Sequence, residues 1–207
     1  MSGGRTATAF LVGKARMEGL GAYEDAAFAA LLCVISLPHV WYVYLWTRPR
    51  SWMQSCKKRR VDPSVSMAQW AMAIKALQFG SYAAWVLLSV PGAPLIRMDL
   101  LSDPVGWAAA AAFVVGQTLN GAAYRRLGLD GIYYGARFNK SIPWCSKWPY
   151  GGPLAVPHPQ YVGSVISMLG AIVLTSSPEH YASGHAATVG AWWSTCYLLS
   201  GLTEAYL

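Results

Sequence analysis

Five stretches of the chain are nearly free of charge, and polar residues gather between them. Residues 26–46, "AAFAALLCVISLPHVWYVYLW", carry no formal charge and end in aromatic residues suited to a membrane interface. Residues 67–90 are broken only by Lys75, and residues 105–124 are rich in alanine. Residues 161–177 and 186–204 complete the series. Crossing a bilayer takes about 20 apolar residues in a helix, so the pattern predicts an all-α, polytopic transmembrane helix bundle with four or five membrane helices. The fourth run is the shortest and is expected to tilt or to span incompletely. The five consecutive alanines at 108–112 should let a neighbouring helix approach closely. Pro38 is expected to bend the first helix, with His39 making a contact inside the bundle. With no repeat and no long linker, the economical organisation is one membrane domain over residues 1–207, interrupted by an interfacial loop at 125–160.

Composition agrees with a membrane class: 55% of residues are hydrophobic and 12% charged, against about 25% charged in a soluble domain. The net charge of +7 is concentrated on alternate loops. Arg48, Arg50, Lys57, Lys58, Arg59 and Arg60 follow the first run, and Arg125, Arg126, Arg137, Lys140 and Lys147 lie between the third and fourth. The other two loops hold Arg97 against Asp99 and Asp103, and Glu179 without a basic residue. Under the positive-inside rule, five crossings then put the N-terminus outside and the C-terminus in the cytoplasm. Basic charge flanking membrane runs suits anionic lipid headgroups and argues against nucleic acid. The first apolar run starts too late for a cleaved signal, although "MSGGRTATAFLVGKARM" has the weak character of an organellar presequence. Cys33, Cys56, Cys145 and Cys196 lack metal-ligand spacing and suggest no disulfide framework.

The loop at 125–160 is rich in proline, glycine and aromatic residues, a composition opposed to disorder. In "RRLGLDGIYYGARFNKSIPW", Gly128, Gly131 and Gly135 either serve turns and packing or bring backbone amides to a polar ligand. No strand precedes them, so they are not a dinucleotide fingerprint. In "AVPHPQYVGSV", prolines flank His158 at the start of the fourth run. His158 is either a hydrogen-bonded structural residue or a functional one, and Tyr161 with Gly163 and Ser164 reads equally as an interfacial anchor followed by a helix-packing face. Glu204 is the one acid of the last run. A carboxylate there has either reached the interface or marks a site, and five crossings place it on the same side as the glycine and histidine motifs. Lys75 either snorkels or contacts a substrate or lipid headgroup.

Together, "LGLDGIYYGARF" and "IPWCSKWPYGGPLAVPHPQYVGSVISMLG" resemble the phospholipid N-methyltransferases, a family of small integral membrane enzymes. The likeness is strongest over residues 119–174, about a quarter of the chain. The shorter His-Pro-x-Tyr-x-Gly pattern is also similar to isoprenylcysteine carboxyl methyltransferases and some membrane reductases.

The resemblance implies S-adenosylmethionine-dependent methylation of the amino headgroup of ethanolamine phospholipids, in an endoplasmic reticulum or mitochondrial membrane. It implies a cofactor pocket built from Gly128, Gly131, Gly135, His158, Pro159, Gly163 and Glu204. His158, Tyr161 and Glu204 would serve catalysis, with Arg125, Arg126 and Lys140 near the lipid phosphate. The family commonly carries two adjacent glutamates after its last membrane helix, whereas here Glu204 is followed by Ala205. That departure supports an alternative, a catalytically inactive protein of the same fold acting as a structural subunit of a larger membrane complex. A third reading is an enzyme acting on another substrate, such as a prenylated cysteine carboxyl group.

Overall fold

The computed structural model describes residues 3–143 and 145–206, with side chains from Glu24 onward. All regular structure in the described residues is helical. The elements are α1 (Gly3–Thr47), α2 (Pro49–Arg59), α3 (Pro63–Ser89), α4 (Pro104–Ile132), α5 (Pro159–Thr175), α6 (Pro178–Ala182) and α7 (His185–Tyr206). Short 3-10 turns occupy Met98–Ser102 and Gly135–Phe138.

Five of these helices open on a proline, whose fixed φ and missing N–H suit the first helical position. The side chains of Asp62 and Asp103 cap α3 and α4 by accepting from the Ser64 and Val65 amides and from the Val105 amide.

The sequence expectations need adjustment at three places. The first helix begins at Gly3, well before the apolar run, because the polar residues ahead of it contain no proline to stop a helix. The basic stretch after it is not a plain loop: Trp52 and Met53 of α2 pack on the core while Cys56 is buried, leaving the cations outward. The fourth helix runs past residue 124 to Ile132, bent at Gly128, where φ is 65°. Among the described residues, two helical segments, Glu24–Thr47 and Pro63–Ser89, are long and apolar enough to cross a membrane, fewer than the four or five the sequence pattern predicts, with α5 too short at 17 residues.

α1 packs on α3 and α7, while α4 and α5 lie against each other along their length. The close approach of that last pair is made by small residues. A Cβ on Gly116 would lie 2.4 Å from the Gly163 carbonyl oxygen, and one on Gly170 would lie 2.5 Å from that of Ala109. Such backbone contact is how helices associate where lipid removes the hydrophobic drive between them.

Two apolar cores result. One, near the 133–142 segment, gathers Tyr42, Leu45, Met67, Leu127 and Phe138; the other gathers Ile35, Val86, Ile172, Val189 and Trp193. Several polar contacts join the helices between them. His39 Nδ1 lies 3.1 Å from Ser200 Oγ, Gln78 Nε2 donates to the Ile35 carbonyl at 2.7 Å, and Lys75 Nζ donates to Tyr197 Oη at 3.1 Å. The outer surface is apolar, with Leu88 79%, Met72 68% and Trp107 63% exposed.

Candidate functional site

The site is assembled where the 133–142 segment, the start of α5 and the end of α7 meet. After α4 ends, Tyr134 takes a left-handed conformation, with φ 56°. This turn sends its side chain into the bundle, where the ring meets Trp46 edge-on at 5.1 Å. The Tyr134 hydroxyl donates to Glu204 Oε1. Tyr161, on the first turn of α5, donates its hydroxyl to the same oxygen. One carboxylate oxygen is thus clamped by two phenols, and no described residue bonds Oε2. Burial, reinforced by neighbouring Tyr161 and the Glu204 carboxylate, holds the Tyr134 phenol well above its ordinary pKa. It therefore remains a neutral donor throughout the physiological range.

His158 is also left-handed, with φ 45° and ψ 58°, between Pro157 and Pro159. A residue preceding proline is biased away from the right-handed helical region, which agrees with a helix that begins only at Pro159. The His158 carbonyl accepts from the Tyr161 and Val162 amides at 2.9 and 3.1 Å. Its exposed imidazole stacks on the Tyr161 ring, with centroids 6.1 Å apart and planes 12° from parallel. The prolines thus set the helix start and leave the ring at the mouth of a groove.

That groove, of about 660 Å³, lies between α5 and α7 and is lined by His158, Tyr161, Val165, Leu198, Leu202 and their neighbours. Its wall is largely apolar. Glu204 is not part of the lining; it lies behind Tyr161 and is reached through that residue's hydroxyl.

The sequence candidates fall into distinct groups. His158, Tyr161 and Glu204 come together. Pro159 is buried at the start of α5, and Gly163 faces Gly116 in the α4–α5 contact. Gly128 supplies the bend in α4. Gly131 and Gly135 make room for Ile142: added Cβ atoms would lie 3.2 and 3.0 Å from its side chain. Gly135 nevertheless directly follows Tyr134 and so belongs to the turn that aims this residue at Glu204.

Arg125 and Arg126 are exposed, and Arg126 Nε donates to the Trp148 carbonyl at 3.2 Å. Lys140 is engaged by Asp62 at 2.7 Å and Asp130 at 2.5 Å, tying the α3 start to the end of α4. Tyr134 was not among the sequence candidates; its adjacent Tyr133 and flanking glycines signal a turn but not its partner.

Residues 105–199 match the sequence model of the phospholipid methyltransferase family. The chain is 38% identical over 135 residues to phosphatidyl-N-methylethanolamine N-methyltransferase of Arabidopsis thaliana, a match covering 65% of this chain and 72% of that protein. No solved structure matches. The family match includes the His158–Gly163 segment and the turn bearing Tyr134, and the coverage of the plant protein extends the likeness over most of its length. The chain belongs to the phospholipid methyltransferase family.

Proposed function

We propose that the protein uses S-adenosylmethionine to methylate the amino headgroup of ethanolamine phospholipids at the membrane interface. The observation that carries this reading is the Glu204 carboxylate, held through Oε1 by Tyr134 and Tyr161 beside the α5–α7 groove. The plant relative's name supplies the substrate class. Residues 1–207 form a single membrane domain, with α1, α3, α4, α5 and α7 as the five crossings, in an endoplasmic reticulum or mitochondrial membrane. The bare apolar surface supports this arrangement.

The residues present suit the cofactor: a fixed carboxylate with one unengaged oxygen is an acceptor for an ammonium or ribose hydroxyl. When bound, S-adenosylmethionine supplies an electrophilic methyl group on sulfonium. Glu204 Oε2 would hold the cofactor's amino group or sugar, while Tyr134 and Tyr161 keep the carboxylate from rotating. Gly128 bends α4 and Gly131 and Gly135 pack on Ile142, so these glycines shape the turn that aims Tyr134 at Glu204, while Pro159 and Gly163 hold the α5 start against α4.

The lipid amine must lose its proton before its lone pair can attack, and on this reading His158 accepts that proton and releases it to water; its exposed imidazole beside Tyr161 supports the role. The largely apolar groove accommodates an acyl chain, and Arg125 and Arg126, exposed at the end of α4 and outside the groove lining, draw the headgroup to the interface. Lys140 contributes by fixing the adjoining segment through Asp62 and Asp130.

Calorimetric binding of S-adenosylmethionine to detergent-purified protein tests this reading. Glu204→Gln should weaken binding in protein whose unfolding midpoint is unchanged, because Oε2 has no partner among the described residues. Product analysis should then show methylated ethanolamine lipid and no reaction with prenylcysteine. Folded wild type that neither binds nor methylates would overturn the proposal. It would favour the structural-subunit reading, for which Ala205 in place of a second glutamate is the supporting observation.

A further inference from the structure

A second, smaller cavity lies inside the bundle. It has a volume of about 240 Å³ and is lined by Lys75, Gln117, Asn120, Gln160 and Ser164, with several tyrosines. Lys75 is 12 residues from Pro63 and 14 from Ser89. At 1.5 Å per residue its Cα is about 18 Å from one helix end and about 21 Å from the other, beyond the reach of its four-carbon stem. Lys75 therefore does not snorkel. Its Nζ donates to Tyr197 Oη at 3.1 Å, and it forms no salt bridge among the described residues. An ammonium has three donors, so a single phenol leaves most of its capacity unmet. A cation at this depth is expensive without an anion or a wet cavity.

The rest of the lining complements such an anion. Asn120 and Ser164 are in hydrogen-bond contact, and Gln160, the second residue of α5, carries the polar wall to the helix start. Tyr161 lines this chamber as well as the α5–α7 groove, and its hydroxyl reaches Glu204. The chamber and the groove thus share Tyr161 as a common wall.

We propose that the chamber is an anion-recognition site in which Lys75 takes the charged oxygens of a zwitterionic ligand. Both reactants of the proposed function have this chemistry, the lipid through its phosphodiester and the methyl donor through its carboxylate. The inference rests on that function only for the identity of the ligand. Lys75 is here a binding residue, with Asn120, Ser164 and Gln117 positioning the same anion.

The test uses the full chain in detergent with Lys75→Met, which removes the charge, and Lys75→Arg, which keeps it. Two quantities are read: the dissociation constant of S-adenosylhomocysteine without lipid, and the KM for a short-chain phosphatidylethanolamine at saturating methyl donor. Loss of one charge-assisted contact should cost roughly 10- to 100-fold. A rise confined to the lipid KM assigns the phosphodiester, and a rise confined to the dissociation constant assigns the carboxylate. In either case Lys75→Arg should recover most of the loss.

Unchanged values in folded Lys75→Met, or a fall in kcat alone, would overturn the proposal while leaving the methyltransferase reading intact. If wild type proves inactive, thermal stabilisation by the same lipid replaces KM, and equal stabilisation of Lys75→Met overturns the proposal. Should Lys75→Met not fold, Asn120→Leu and Gln117→Leu take its place, and no change in either readout is again the overturning result.

Discussion

Removing the Tyr134 hydroxyl provides a direct test of the clamp on Glu204. Tyr134→Phe deletes one donor to Oε1 and leaves Tyr161 in place. A hydrogen bond to a charged acceptor contributes about 1.5–3 kcal/mol, so cofactor binding should weaken by roughly 10-fold or more if the orientation of Glu204 determines affinity. Tyr134 does not line the α5–α7 groove, so its influence should pass through the carboxylate. In a Glu204→Ala background, Tyr134→Phe should accordingly add little, giving a coupling energy of about 1–3 kcal/mol. Calorimetry with S-adenosylhomocysteine measures the cycle, and thermal unfolding of each variant separates binding from folding. Because the phenol is held above its ordinary pKa, the coupling should not fall as pH rises from about 7 to 9. Single effects that add to within about 0.5 kcal/mol would refute the clamp.

Two other predictions concern stability. In Gly116→Val, the new Cβ would meet backbone atoms, the Gly163 oxygen at 2.4 Å and the Ser167 nitrogen at 2.5 Å, so no side chain can yield. The helices must separate at a cost of about 3 kcal/mol or more, seen as a lower unfolding midpoint with Glu204 unaltered. At the Lys140 junction, the hydrogen bond from Lys140, with backbone amides, depresses the Asp62 pKa. Partial burial opposes a rise at Lys140, but the bonds to Asp130 and Asp62 outweigh it. The depressed carboxylate stabilises the fold above its unfolded pKa of about 3.9 and loses that contribution as pH falls through the folded value; the raised lysine contributes below about 10.4 and loses its share as pH rises through its folded value. Lys140→Met should flatten both limbs of a stability profile by less than about 1 kcal/mol, since the groups are partly exposed.

The boundaries most legible in the sequence were those fixed by local chemistry. Pro159 after His158 sets the start of α5, and the small residues of the alanine run and of Gly163 and Gly170 meet as helix-packing surfaces. The basic stretch concealed α2 because charge dominates its composition, although Pro49 and the spacing of Trp52, Met53 and Cys56 carry a helical signal. Within the site, His158, Tyr161 and Glu204 stood out as polar groups beside apolar runs. Tyr134 did not, since its role depends on a left-handed turn and a contact 70 positions away. The partners of His39 and Lys75, Ser200 and Tyr197, were hidden for the same reason: each pairing joins two helices and exists only after they pack.

The brevity of α5 links the site to the membrane around it. Its 17 residues extend about 26 Å, whereas the 27 of α3 extend about 40 Å. With both elements crossing as proposed, a hydrocarbon layer of about 30 Å is too thick for one and thin for the other. Lipids beside α5 must compress, at a cost of fractions of a kcal/mol per Å, and their headgroups are drawn toward the His158 end of the α5–α7 groove. On the proposed function, bilayer thickness would then control substrate access, with longer acyl chains resisting the local dimple that brings an amine within reach.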